Sequence, residues 1–285
     1  MIPFDIAQQK FREHLKKKGR AGATLLAYSK DIDQVLKFTA SRGRNLVHEI
    51  IKEDLDGFLD QLKKQNYTSK SISRKINSLR TFFKFLVEEK VIKIDPAKLL
   101  EHPKLSPKDH RVLSTIEYRA LRDTVKNDIR TAAVLEIFLQ TGIRISELAG
   151  LKFSEVVLND NGFGKMLVSG REIPLNKTAQ VALKGYLQIR PKTKSKSFFV
   201  TKSGRPLLVR NIRATFDRNF KKTGIVKATV NDFRHTFIVN HLKEGTSLLF
   251  ISKIVGHKRI STTEKYLDYI EASEGKIEKM ELVDI

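Results

Sequence analysis

Tyr266, His257, Arg144 and Arg234 stand out in this 285-residue chain by side-chain type and by setting. Tyr266 comes nine residues after His257, Arg144 stands three before Glu147, and Arg234 lies in Asn231-Asp-Phe-Arg-His235. A phenol can attack phosphorus and conserve the energy of a phosphodiester in a phosphotyrosyl bond. A guanidinium holds two phosphate oxygens in one planar fork and stays charged. Together these groups suit breaking and rejoining a phosphodiester without a metal ion, with cations around the non-bridging oxygens. Each has an ordinary reading when taken alone: a surface ion pair for Arg144, a helix-end cation for Arg234, a cap residue for His257 and a half-buried, hydrogen-bonded hydroxyl for Tyr266.

The elements around these residues are legible. An apolar run ends at Gly256, a residue able to close a helix in the left-handed conformation, and His257-Lys-Arg259 follows. Ser261-Thr-Thr-Glu264 has capping-box spacing and predicts a new helix with Tyr266 near its start. Tyr269 lies three residues further on and is the rival nucleophile, with packing as its ordinary role. Arg144 and Glu147 are expected to share one helix face, where the carboxylate orients the guanidinium. Arg234 falls in an apolar-periodic helix over 229–242, closed by Gly245. Between them, 155–158, 165–168 and 172–175 read as strands, with turns at Asn159–Gly162 and Ser169-Gly170. Further helices are expected at 132–139, 179–189 and 209–221, and Ser114-Thr-Ile-Glu117 is another capping box.

Composition narrows the partner. Lys and Arg number 54 against 32 Asp and Glu, a formal net charge of +22. Residues 1–104 carry 22 of the basic and 13 of the acidic residues, so both halves are basic. Two basic halves suggest two surfaces that meet a polyanion, with a nucleic acid as the expected partner. No apolar run is long enough to span a bilayer, and Met1-Ile-Pro-Phe-Asp5 lacks a signal-peptide pattern, so a cytoplasmic, nucleoid-associated location is expected. With no cysteine there are no disulfides or thiolate metal sites, and no metal or cofactor is expected.

Phe4 to about Pro103 reads as helices throughout. The fourth, from Ser69 to about Lys90, sets Ile72, Ile76, Leu79, Phe82, Phe83 and Leu86 on one face. Its other face carries Lys70, Arg74, Lys75, Arg80 and Lys84 among short hydroxyl and amide side chains, a composition suited to phosphate contacts. The stretch 101–111 contains Pro103 and Pro107 and lacks apolar periodicity. It divides the chain into a helical DNA-binding domain at 1–104, a linker at 105–112 and a second domain at 113–285.

Ile254–Tyr269 resembles the nucleophile segment of the tyrosine recombinases of phage-integrase and Xer type, in which a histidine or tryptophan precedes the attacking tyrosine by nine positions. Thr141-Gly-Ile-Arg-Ile-Ser-Glu-Leu148 resembles the setting of that family's first arginine with its supporting acid, and Asn231-Asp-Phe-Arg-His-Thr236 the setting of the second. Independently, Ser69–Lys104 is similar to the family's N-terminal, SAM-like core-binding domain: it holds Ser-Ile-Ser-Arg, Leu79–Leu86, Asp95-Pro-Ala97 and Pro103-Lys104.

The resemblance implies a mainly α fold with a small antiparallel β-sheet, arranged as a two-domain, C-shaped DNA clamp. It implies a site-specific recombinase in which Tyr266 forms a 3′-phosphotyrosyl link. Arg144, Arg234 and His257 would stabilise the transition state, with Glu147 and Asn231 in support. Four protomers, identical or shared with a related recombinase, would exchange strands through a Holliday junction on a specific site. The C-terminal segment 271–285 would dock on a neighbouring protomer.

Two departures stand against this. The family has His-x-x-Arg at the second arginine, whereas Asn231 can donate a hydrogen bond but cannot move a proton near neutral pH. The family also places a lysine, the presumed general acid, in a β-hairpin turn that is shortened here. Lys165 lies five residues before Gly170, roughly 16 Å along a strand, and Arg171, in the right place, is a poor proton donor. The alternative is a weakened or inactive relative that keeps DNA binding and serves a regulatory role.

Overall fold

The structure, a computed structural model, describes residues 2–104, 110–159 and 164–277, leaving out the side chains of 269 and 271–277. It forms two compact units, Met1–Pro107 and Lys108–Ile285. Most of the 105–112 linker and the turn after Asn159 lie outside the described residues, as does the side chain of Tyr269.

The first unit is helical: α1 (Phe4–Lys17), α2 (Gly22–Ala40), α3 (Lys52–Lys64) and α4 (Ser69–Glu88). The apolar face expected of α4 is the centre of its core, and Ile76, Leu79, Phe82 and Phe83 are completely buried. Phe82 meets Phe11 of α1 edge-on at 5.1 Å, a favoured aromatic geometry. Thr68 caps α4 by accepting the Ser71 amide.

The second unit holds α5 (Thr115–Val125), α6 (Ile129–Thr141) and α7 (Ile145–Gly150), then β1 (Val156–Val157), β2 (Gly164–Val168) and β3 (Arg171–Leu175). It continues with α8 (Lys177–Ile189), α9 (Val209–Lys222), α10 (Val230–Lys243), α11 (Leu248–Val255) and α12 (Ser261–Ile277). The strands form one antiparallel sheet in the order β1-β2-β3. Met166 pairs with Ile173 and Val168 with Arg171 across the Ser169-Gly170 turn, where both φ values are positive (+50° and +77°), as a two-residue hairpin of type I′ requires. Met166, Val168, Ile173 and Leu175 face the core, while Lys165 and Glu172 face out.

The central helix is α10, which buries residues on every side, among them Phe233, Arg234, Phe237 and Ile238. Phe233 stacks on Phe138 of α6 at 5.8 Å and meets Phe216 of α9 edge-on at 5.2 Å. Arg234 is therefore carried into the interior by a helix whose neighbouring residues are core. The capping box of α5 forms as its spacing predicts: Ser114 Oγ accepts the Glu117 amide, and the Glu117 carboxylate accepts the Ser114 amide. The expected box at Ser261–Glu264 differs. Ser261 is already helical, and the Glu264 amide closes the first turn onto the Ile260 carbonyl. The helix begins one residue earlier, and Thr263 in its first turn partners His257.

Candidate active site

Two left-handed glycines build the floor of the site. Gly142 ends α6 at φ +60°, and Gly256 ends α11 at φ +69°. A Cβ on Gly142 would lie 2.5 Å from the Phe237 ring, and one on Gly256 would lie 2.9 Å from the Arg171 guanidinium, so both positions need glycine for space as well as for backbone conformation. Each glycine also turns its carbonyl toward an arginine.

Arginines converge on the carboxyl end of α11. Arg144 donates to Gly256 O at 2.9 Å and to Val255 O at 3.3 Å. Arg171 Nε donates to Ile254 O at 2.8 Å. Arg234 donates to Val255 O and to Gly142 O, both at 2.7 Å. Helix carbonyls left without intrahelical partners carry partial negative charge and suit cations. Each such bond to a charged donor contributes about 1.5–3 kcal/mol.

Glu147 fixes two of these guanidiniums. Arg144 is the residue before α7 and not part of its face, yet the pair forms: Glu147 Oε2 accepts the Arg144 amide at 2.8 Å and Oε1 accepts Nη1 at 2.9 Å. Arg171 binds the same carboxylate in a bidentate pair at 2.8 and 3.0 Å. Burial opposes ionisation of Glu147, but the hydrogen bonds from Arg171 and from the Arg144 amide outweigh it and hold its pKa below the ordinary carboxylate value.

Hydrogen-bond partners, more than exposure, separate the arginines by role. Arg171 spends its donors on Glu147, Ile254 O and Val168 O, and only 13% of its side chain is exposed; it is a buttress. The Arg144 side chain is 42% exposed and can receive an anion. Arg234 is 8% exposed, and burial, followed by the charge of Arg144, lowers its pKa to about 10, which leaves it charged at neutral pH.

His257 follows Gly256, and its amide closes α11 by donating to Ser252 O at 2.9 Å. Its side chain is a separate matter: Nδ1 lies 2.8 Å from Thr263 Oγ1 of α12. Burial and then the charges of Arg234 and Arg144 lower its pKa to about 4, so it is neutral near pH 7 and one ring nitrogen keeps a proton to donate. The His257 ring is 6.3 Å from that of Tyr266. Tyr266 is 3% exposed, and burial raises its pKa while Arg234 pulls it down. Its hydroxyl lies 2.7 Å from His235 Nδ1, and the His110 ring stacks on the phenol at 4.5 Å.

Comparison with known proteins decides the family. Residues 111–272 match the phage integrase family, and residues 9–90 match the phage integrase N-terminal SAM-like domain. The chain belongs to the phage integrase family. The tyrosine recombinase XerC of Anoxybacillus flavithermus is 30% identical over 276 residues, covering 90% of each chain. The tyrosine recombinase XerD of Oceanobacillus iheyensis is 30% identical over 269 residues, again covering 90% of each. Among solved structures, an XerA recombinase is 27% identical with a TM-score of 0.51, covering 91% of this chain and 92% of that one. A lambda integrase fragment, solved as a dimer bound to a COC′ core site, shares the fold with a TM-score of 0.74 at 17% identity, covering 92% and 97%.

Other residues singled out in this phage integrase family member fall differently. Asn231, in the first turn of α10, is exposed. Lys165 is exposed and pairs with Glu172 at 2.7 Å. In the first unit, Lys70 and Lys84 are exposed, but Lys75 is 5% exposed, so its placement among free basic residues is corrected. Its ammonium binds Asp31 at 3.0 Å, because Asp31 is itself buried and needs a cation. Arg74 also binds Asp31, and Arg80 donates to Leu100 O. No apolar spacing could have revealed these partners, since Asp31 lies on another helix. His110 is a residue at the site that motif spacing gave no means of finding, being far from Tyr266 in sequence.

Proposed function

We propose that this chain is a site-specific recombinase that cleaves and rejoins duplex DNA through a 3′-phosphotyrosyl intermediate. The observation that carries the proposal is the joining of a buried phenol, a neutral histidine and two guanidiniums around the carboxyl end of α11, in a member of the phage integrase family. Arg144 and Arg234 hold the non-bridging oxygens of the scissile phosphate, and His257 donates a hydrogen bond to one of them. The carbonyls of Gly142, Val255 and Gly256, with Glu147, keep the guanidiniums placed before substrate arrives, so little reorganisation remains for the transition state. Tyr266 attacks phosphorus, the 5′-oxygen leaves, and reversal of the step rejoins a strand.

The first unit adds sequence-independent affinity through exposed cations such as Lys70 and Lys84. A lambda integrase has been solved as a tetramer bound to a Holliday junction. By analogy, four protomers of this chain act on two sites, and the protein works at the cytoplasmic nucleoid. Docking of the segment 271–285 on a neighbour belongs to this proposal and lies outside the described side chains. The test is covalent capture: a nicked duplex that loses its short strand on cleavage should trap protein on DNA, and Tyr266→Phe should abolish the adduct. Binding without an adduct would refute the cleavage.

A further inference from the structure

The recombinase reading leaves one proton without an assigned destination, the phenolic proton of Tyr266. Asn231 cannot accept it, the Arg171 donors are committed, and Lys165 is paired with Glu172 on the outer face of the hairpin. His235 is the residue whose ring nitrogen meets the hydroxyl. It follows Arg234 on α10, with Nδ1 2.7 Å from Tyr266 Oη, well within the reach a general base needs. His110 lies over both groups: its ring is 4.4 Å from that of His235 and 4.5 Å from that of Tyr266, nearly parallel to the phenol at 10°.

We propose that His235 is the general base for Tyr266 and that His110 is a positioning residue, holding the phenol and imidazole in line. The inference rests on the recombinase reading and deepens it. In the step, the Oη–P bond forms and the P–O5′ bond breaks. The phenolic proton moves to Nδ1, giving an imidazolium, and the leaving 5′-oxygen takes a proton from water, releasing hydroxide. On rejoining, the P–O5′ bond forms and the Oη–P bond breaks: the attacking 5′-hydroxyl gives its proton to hydroxide, forming water, and the imidazolium returns its proton to the departing phenolate oxygen.

Substrate binding supplies the driving force. The charged or titratable groups facing His235 are His110, Arg234, His257 and Tyr266. Burial first, and then the charges of His110, Arg234 and His257, lower the His235 pKa to about 4, which makes it neutral but weakly basic in the free protein. A phosphodiester docked on Arg144 and Arg234 brings a negative charge into that positive field. This raises the basicity of His235, and transfer then accompanies P–O bond formation. The tyrosine is thus ionised only when a phosphate is in place.

The test uses the whole 285-residue chain and a nicked duplex whose site is selected by binding from a random-sequence library. Single-turnover formation of the covalent adduct is followed from about pH 5 to 9 for wild type, His235→Gln, His110→Gln and Tyr266→Phe. His235→Gln should bind the duplex as wild type does but cleave about 10²–10⁴-fold more slowly near neutral pH, with a rate that climbs as hydroxide takes over the role. His110→Gln should show a smaller loss, about tenfold, and keep the wild-type pH profile. A His235→Gln rate within about threefold of wild type across the range, or a faster one, would overturn the proposal. The faster rate would mean that His235 holds the nucleophile in reserve. Loss of DNA binding and thermal stability in parallel with cleavage would also overturn it, as the mark of a structural role. A DNA-free readout guards against folding artefacts: ¹⁵N spectra of the wild-type imidazoles should show His235 Nδ1 unprotonated and perturbed by Tyr266→Phe. A protonated Nδ1 in neutral His235 would contradict the assignment. Absence of any wild-type adduct would remove the recombinase reading itself, whereas an adduct indifferent to His235→Gln would remove only this inference.

Discussion

The basic face of α4 and the arginine cluster at the end of α11 are both rich in cations, and the structure treats them differently. On α4, Lys75 and Arg74 share the carboxylate of Asp31, which offsets their charge, and Arg80 is held by Leu100 O. At α11 the partners are mostly backbone carbonyls, which orient a guanidinium without neutralising it. One full negative charge, Glu147, is shared between Arg144 and Arg171, and Arg234 has no part in its hydrogen bonds. Hence the α11 cluster keeps a net positive field suited to an anion, while much of the α4 face is taken up by contacts within the fold. The lesson is that a cation's role follows from what holds it, and not from how many cations surround it in sequence.

The comparison can be broken by substitution. The largest effect is expected at Arg144: Arg144→Ala should lower the single-turnover cleavage rate by about 10³-fold. A loss under tenfold would show that this guanidinium does not meet the phosphate. Asp31→Ala should act on stability instead, costing about 3 kcal/mol because Lys75 is left buried without its anion, as read by denaturant titration of the first unit's transition. If stability held and DNA affinity fell, the α4 network would be functional after all. Glu147→Gln loosens two guanidiniums at once, and a drop in cleavage of about 10²-fold is expected, with a much smaller change in DNA affinity. Last, Lys70→Ala and Lys84→Ala should each reduce the salt dependence of binding by about one unit of the log–log slope, and Lys75→Met should not. Equal slopes for all three would erase the distinction between exposed and buried cations.

Much of this was readable in the sequence, and the reasons are local. The face of α4 was legible because apolar residues recur every three or four positions, and packing enforces that period. Gly256, His257 and Tyr266 were legible because a left-handed helix end, a short link and a new helix fix their separation within a few residues. Arg144 and Glu147 were paired correctly although Arg144 precedes the helix, since a cap residue and the third helical residue also meet. What escaped depends on elements far apart in the chain. Arg171 resembled a lysine substitute until its bonds to Glu147 and Ile254 O were visible. Lys75 looked free because Asp31 stands on α2. His110 carries no motif at all, and only the fold brings its ring against Tyr266.

The most direct test of the account is the covalent adduct itself. Wild type, Tyr266→Phe and Tyr269→Phe would be incubated with the nicked duplex and resolved under denaturing conditions. The account predicts an adduct with wild type and with Tyr269→Phe, none with Tyr266→Phe, and a tryptic phosphopeptide that carries the DNA on Tyr266. An adduct that survives Tyr266→Phe, or DNA binding by all three with no adduct from any, would contradict it.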